Sequence, residues 1–259
     1  VPERAAYVLE HFWDALDFRD TLRSRRSAFM EQNFVNFASL FPHATQEALT
    51  FAVKKLMKAA EADSAAYMLL AEMAEKYLCD PESPVAGEEY YIPFLEEMAQ
   101  TPLLDEYSKE RPRYLLDVVR KNARGTLAAD FTFLTAEGER HSLHGTQSEH
   151  LLLLFMDPDC DHCREVVAAL ARDEALDRQL IGGHLTVLVV DVSANRSAWQ
   201  QFLPQLPARW QPCFDLDAVR DRELYVWRSL PALYLLDAGK HVLLKEPSLS
   251  VLSAFLAEM

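Results

Sequence analysis

The sequence is short of positive charge: 26 Lys and Arg stand against 40 Asp and Glu, a net charge of −14. A phosphate backbone or an anionic membrane surface needs a basic footprint, so nucleic acid is excluded as a partner class. Long apolar runs are missing as well. A membrane-spanning helix needs about 20 consecutive apolar residues, and the longest runs here, HLLLLFM at 150–156 and LTVLVV at 185–190, have the length of buried strands. The chain begins at Val1, not at methionine; a signal peptide or a lipid-attachment cysteine would lie upstream of that point, and nothing follows from its absence here. Cysteine is scarce, with Cys79, Cys160, Cys163 and Cys213 making up all four, too few for a disulfide-scaffolded mini-protein. Glycine is nearly absent from the first half, where Gly87 stands alone before Gly125. There is no internal repeat and no low-complexity tract.

What is present is apolar residues, 50% of a chain of 259, enough for one large core or two ordinary ones. From Arg4 to Ala123 their spacing is helical. In RAAYVLEHFWDALDF, residues Val8, Leu9, Phe12, Trp13 and Leu16 make one stripe, with Glu10, Asp14 and Asp17 off it. NFVNFASLF repeats the stripe until Pro42 ends it. Thr45 is the predicted N-cap of QEALTFAVKKLMKAAEA and Ser64 that of AAYMLLAEMAEKYL. CDPESPVAG then breaks the chain, and two further helical stretches follow, EEYYIPFLEEMAQ and RYLLDVVRKNA.

After Gly125 the period changes. ADFTFLTAEGERHSL alternates about Glu137-Gly138, a hairpin signal. The buried run 151–156 follows, then helix-like REVVAALARDEALDRQL, strand-like LTVLVVDV, helical SAWQQFL, a strand pair around Ala238-Gly239 in ALYLLDAGKHVLLK, and a last helix in SVLSAFLAEM. The expected fold is an all-helical domain over residues 1–124 followed by an α/β domain over residues 125–259, its central mixed sheet covered on both faces.

The chemistry-bearing feature is DPDCDHC, at the exit of the 151–156 strand. A structural zinc site draws four ligands, usually from two close pairs, and no second CxxC or HxxxH exists, so no metal is expected. A passive staple is a poor reading, because closing so short a loop removes little entropy from the unfolded chain. A working dithiol fits the position. A helix N-terminus carries about half a positive charge and free N–H donors, which favour a thiolate. Cys160 is therefore the expected nucleophile, and Cys163, one turn into the helix and more buried, the resolving thiol. His162 would stabilise the thiolate when protonated, while Asp157, Asp159 and Asp161 oppose it.

These residues carry a resemblance. AADFTF, CDHC after an apolar strand, and SLPALYLLDAGKHVLL further on are similar to the opening hairpin, active-site motif and Pro-Thr-strand-Asp-x-x-Gly segment of TlpA/ResA-type thioredoxin-fold proteins, the bacterial envelope thiol–disulfide oxidoreductases. The resemblance spans about half the chain. It implies a thioredoxin-like domain, a cis-proline at Pro231, a backbone at Leu230 that pairs with an extended substrate chain, and a redox-active Cys160–Cys163 disulfide with no other cofactor. It implies protein thiols and disulfides as substrates, an envelope redox partner, and a place in the periplasm or cell envelope. The sequence departs from the pattern where Asp159 replaces the family tryptophan and Leu154 replaces a buried acid. RAAYVLEHFWDALDF and YYIPFLEEM resemble a domain of unknown function that precedes TlpA-like domains in envelope proteins of Bacteroidetes-type bacteria. The different-class alternative is a non-catalytic binding module, its helical domain docking a partner.

The remaining residues have plainer readings. Cys79 and Cys213 are expected as partly buried thiols and less as an interdomain disulfide, given the ~7 Å limit between their Cα atoms, with Cys213 lying toward the active-site edge. Phe12, Trp13, Tyr90 and Tyr91 at helical spacing are expected in the core. His141, His144 and His150 are expected to point apart, and the acidic runs to be solvated helix faces. DPDCDHC lacks the peroxiredoxin Pro-x-x-x-Thr/Ser-x-x-Cys spacing.

Overall fold

The computed structural model describes residues 2–80, 83–193 and 195–259. It divides into two compact units, one ending at Arg120 and the other spanning Lys121–Met259.

The first unit is helical throughout: α1 (Pro2–His11), α2 (Thr21–Ser24), α3 (Ser27–Ala38), a 3₁₀ turn at Phe41–His43, α4 (Gln46–Ala60), α5 (Ser64–Leu78), α6 (Glu88–Met98) and α7 (Glu106–Arg120). Its core joins Phe34, Phe37, Tyr67, Leu70, Tyr91 and Phe94, with Phe12, Trp13 and Tyr90 packed against it. The predicted first helix is too long. It stops at His11, Val8 is exposed, and Phe12, Trp13 and Leu16 reach the core from the turns that follow. Asp63, and not Ser64, caps α5: its carboxylate accepts the Ala66 N–H at 2.9 Å and is clasped by Arg25 at 2.5 to 3.2 Å. Thr45 caps α4 as expected. Pro93 sits inside α6, where it has no N–H for the Glu89 carbonyl four residues back, and the Gln46 side-chain amide donates to that carbonyl at 3.3 Å instead. The Pro81-Glu82 part of the expected break lies outside the described residues.

The second unit is built on a seven-stranded sheet in the order β2-β1-β5-β4-β3-β6-β7. The strands are β1 (Thr132–Thr135), β2 (Arg140–Ser142), β3 (His150–Met156), β4 (Leu185–Asp191), β5 (Gln211–Asp215), β6 (Ala232–Asp237) and β7 (Val242–Lys245). β3, β4 and β5 run parallel, and the β1–β2, β1–β5, β3–β6 and β6–β7 pairs are antiparallel, so the sheet is mixed. β3 is paired on both sides along its length, which is why its six residues from Leu151 to Met156 are all apolar and buried. Alternation sends Leu152, Leu154 and Met156 to one face and Leu151, Leu153 and Phe155 to the other. The first face is covered by α8 (Asp161–Leu170), α9 (Glu174–Gly182), α10 (Arg196–Phe202) and α11 (Leu249–Glu258). The second is covered by irregular chain carrying Phe131, Leu143, Val219 and Tyr225.

Two elements differ from expectation. The stretch read as one helix from Arg164 to Leu180 is two, because Asp173 caps a fresh start by accepting the Leu176 N–H at 2.8 Å. β5 carries no sequence signal, being short and holding Pro212. Gly183 closes α9 at φ 75°, the left-handed region where a Cβ is penalised. Among the described residues no helix is long and apolar enough to cross a membrane.

Candidate active site

β3 delivers the chain to a tight turn. The Asp157 carboxylate accepts the Asp159 N–H at 2.8 Å and the Asp157 carbonyl accepts the Cys160 N–H at 3.1 Å. The turn fixes Cys160 as the N-cap of α8, in extended backbone, with its Sγ accepting the Cys163 N–H at 3.3 Å. An N-cap normally uses a side-chain oxygen for this bond; here a sulfur takes its place, which brings the nucleophile's atom onto the positive end of the helix.

Cys163 points inward. It is fully buried among Leu152, Leu154, Met156 and Val167. Burial pushes its thiol up to about 12, with Cys160 raising it further and a backbone hydrogen bond from Asp157 opposing the rise. All four cysteines are thiols in this structure. Cys160 is half-buried and faces a groove of about 350 Å³ whose walls include Asp157, Arg220, Tyr225, Trp227 and Leu230. The Leu230–Pro231 peptide is cis, and Leu230 lines the same groove as Cys160, 70 positions earlier in the chain.

The charged groups around the dithiol are engaged in ways that the sequence does not announce. Arg164 pairs with Asp161, and its second nitrogen donates to the Pro158 carbonyl at 2.5 Å, bracing the turn. Asp159 accepts from the Asn195 amide at 3.1 Å. Of the three aspartates expected to oppose a thiolate, Asp161 is thus countered by a guanidinium and the other two accept N–H donors. His162 is solvent-exposed, its Nδ1 lying 3.7 Å from Glu165.

Other predicted residues fall elsewhere. Cys213 is buried in β5 in the cluster on the sheet face opposite Cys163, and Cys79 caps the C-terminus of α5. His141 meets Glu139 while His144 Nε2 donates to the Ala128 carbonyl at 2.8 Å, so the two diverge. Three residues were missed. Arg164 carries no signal of its own in the run REVVAALARDEALDRQL. Trp227 stacks on Phe155, centroids 5.2 Å apart, and puts an aromatic wall in the groove where the family tryptophan next to the first cysteine is lacking. Asp191 ends β4 beside Met156 and is fully buried; its signal was an acid closing the apolar run LTVLVV.

Comparison with known proteins gives the following likenesses. Residues 2–122 match the family described as Domain of unknown function (DUF5106). A thioredoxin-like protein from Bacteroides caccae is 31% identical over 98% of this chain and 92% of its own, with a TM-score of 0.87. The C-terminal domain of an uncharacterized protein from Bacteroides fragilis is 30% identical over 53% of this chain and 99% of its own, with a TM-score of 0.51. The thioredoxin domain of a thiol-disulfide oxidoreductase from Bacteroides vulgatus is 19% identical over 52% of this chain and 96% of its own, with a TM-score of 0.47. No curated protein matches the sequence.

Proposed function

The chain belongs to the family of thioredoxin-like proteins that carry a DUF5106 domain ahead of a thioredoxin-like domain, and from that premise we propose that it exchanges dithiols for disulfides on protein substrates in the bacterial cell envelope. The observation that carries the reading is the asymmetry of the pair: Cys160 faces a groove from a helix N-cap, and Cys163 sits buried one turn behind it.

Exchange with a substrate disulfide runs in two displacements. Cys160 Sγ bonds to one substrate sulfur, the substrate S–S bond breaks, and the other sulfur leaves as a thiolate that takes up a proton. Cys163 then loses its proton and bonds to Cys160 Sγ, the mixed disulfide breaks, and the second substrate thiol departs. Two electrons pass from the protein to the substrate, and the reverse sequence oxidises a substrate dithiol. The groove suits an extended chain, with the Leu230 backbone offering strand-type pairing and Trp227 an apolar wall. Arg164 holds the turn that presents Cys160, and exposed His162 and Asp159 tune the pair only from its rim.

A Cys163→Ala protein should hold its partner as a mixed disulfide through Cys160, visible on a non-reducing gel and identified by mass spectrometry. An insulin-reduction assay gives the refutation: a Cys160→Ser protein as active as the parent removes the mechanism. A parent protein without exchange activity leaves the thioredoxin-like domain as a docking module.

A further inference from the structure

Between β5 and β6 the chain folds back over residues 216–231 and supplies most of the groove in front of Cys160. Two carboxylates hold this segment in place. Asp215 accepts the Asp217 N–H at 2.8 Å and the Val219 N–H at 2.7 Å. Asp217 accepts the N–H and the hydroxyl of Thr132 at 2.5 and 2.7 Å. Val219 and Tyr225 are buried, and the Tyr225 hydroxyl donates to the Ala129 carbonyl at 2.7 Å. Ala218 and Glu223 both take the left-handed region at φ 50°, a conformation that costs a residue with a Cβ and persists only where the surroundings impose it. The segment is a fixed mount, not a loose loop.

It carries four charged side chains in a row, Arg220 to Glu223, and they are not equivalent. Arg222 pairs with Asp217 at 3.4 Å, and Glu223 with Lys121 at 2.9 Å. Asp221 lines a second cavity, of about 170 Å³, together with Asp191 and Asp215. Arg220 lines both that cavity and the Cys160 groove. Of the carboxylates that share its cavity, Asp215 is spent on the two N–H groups above and Asp191 accepts the Ser193 N–H at 2.9 Å. Among the described residues the exposed Arg220 guanidinium has no hydrogen-bond or ion-pair partner. Arg228 also lines the groove but is engaged within the protein. Arg220 is thus a cation held on the wall of the Cys160 groove with its five N–H donors unspent.

A guanidinium in that position suits a carboxylate, which it can grip with two parallel hydrogen bonds. Two acids of the groove oppose such a ligand, but Glu223 is countered by Lys121, and Asp157 accepts the Asp159 N–H at 2.8 Å. The net charge of −14 also repels an acidic chain at long range, so a preference for one has to come from a local cation. We infer that Arg220 selects the substrate, seating a carboxylate two residues from the cysteine that Cys160 engages. The inference rests on the exchange reading above and gives it a substrate class: an extended segment with Asp or Glu at the second position from a disulfide-bonded cysteine. The spacing follows from the chain. Residues two apart in a strand share a side and stand about 7 Å from one another, and a cube of that edge encloses about the 350 Å³ of the groove. The residue next to the cysteine points to the opposite side.

The test follows exchange between the reduced full chain and short peptides that hold one cysteine and are supplied as symmetric disulfide dimers. The peptides carry Glu, Gln or Lys at both positions two residues from the cysteine, and a fourth set carries Glu at the two adjacent positions instead. Peptide thiol released in acid-quenched single turnovers gives each rate, which is divided by the rate of the same dimer with 2-mercaptoethanol to remove the peptide's own reactivity. At low salt the parent should prefer Glu over Lys at the second position by about 5-fold, the size of one exposed ion pair. The preference should shrink toward unity near 1 M salt, where the screening length falls to about 3 Å. Arg220→Glu should reverse the order, and Arg220→Gln should abolish the preference for Glu. Each comparison is a ratio taken on one protein, so a general loss of fold or of thiol reactivity cancels. A parent that does not prefer Glu overturns the inference, and so does a Glu-to-Lys ratio that Arg220→Glu leaves unchanged. A parent that gains as much from Glu at the adjacent positions as at the second overturns it as well. A parent that releases no thiol from any peptide overturns the exchange reading itself, and this inference with it.

Discussion

Reduced protein should present two cysteines of very different reactivity three positions apart in the motif. Burial pushes the Cys163 thiol from its ordinary 9.0 up to about 12, a rise worth about 4 kcal/mol at 1.36 kcal/mol per decade. At pH 7.5 a thiol ionising there carries thiolate in roughly 1 molecule in 30,000, against about 1 in 30 for a thiol at the ordinary 9.0. Only the thiolate reacts with iodoacetamide, so Cys163 should be alkylated about 10³-fold more slowly than a small free thiol. The assay is a timed iodoacetamide pulse on native Cys160→Ser protein, with mass spectrometry of the peptide spanning residue 163. Because desolvation is the first cause of the shift, removal of Cys160 should leave it largely in place. The rate should climb about tenfold per pH unit through the neutral range, and unfolding in guanidinium should abolish the protection. Alkylation of native Cys163 within about tenfold of glutathione's rate would refute the argument that burial keeps the resolving thiol protonated.

Two further outcomes test the scaffold. Phe155→Ala should cost the second unit about 3–5 kcal/mol in urea unfolding, since the ring is fully buried and meets Phe131, Tyr225, Trp227 and Tyr234 at centroid distances of 4.8 to 6.1 Å. Arg25 holds the Asp63 carboxyl below its ordinary range, so the folded helical unit binds that proton less readily than the unfolded chain. Its stabilisation is therefore complete above about pH 4 and fades as the pH falls; thermal melts of Asp63→Asn, which still caps α5, should show a weaker acid dependence than the parent.

Much of this architecture was legible because periodicity and pairing coincide. HLLLLFM reads as a doubly paired strand because nothing else tolerates six consecutive buried apolar residues, and CDHC at its end reads as a dithiol because a strand-to-helix turn is where a thiolate is favoured. Leu230 and Pro231 came only through resemblance, since no local pattern ties residue 230 to residue 160. What escaped was set by contacts distant in sequence. Asp63 outcompeted Ser64 as a cap because Arg25 clasps it, and β5 is a strand because β1 and β4 flank it, despite Pro212. Trp227 and Asp191 carry no motif of their own; tertiary packing sets one in the wall of the groove and buries the other at the end of β4.

The place of β3 in the sheet also bears on how the chain is made. Both of its hydrogen-bonding partners come later: β4 begins at Leu185 and β6 at Ala232, 76 residues after Met156. At ~5–20 residues per second, a ribosome needs roughly 4 to 15 s to supply the second edge. For that interval a strand with six consecutive apolar residues emerges with open backbone on at least one side, the kind of segment that seeks a partner in another chain. The core of the helical unit is built from residues that precede β3 and can form by then. The nascent protein thus combines a completed helical unit with an unfinished sheet, and the open strand emerges just ahead of the cysteine pair.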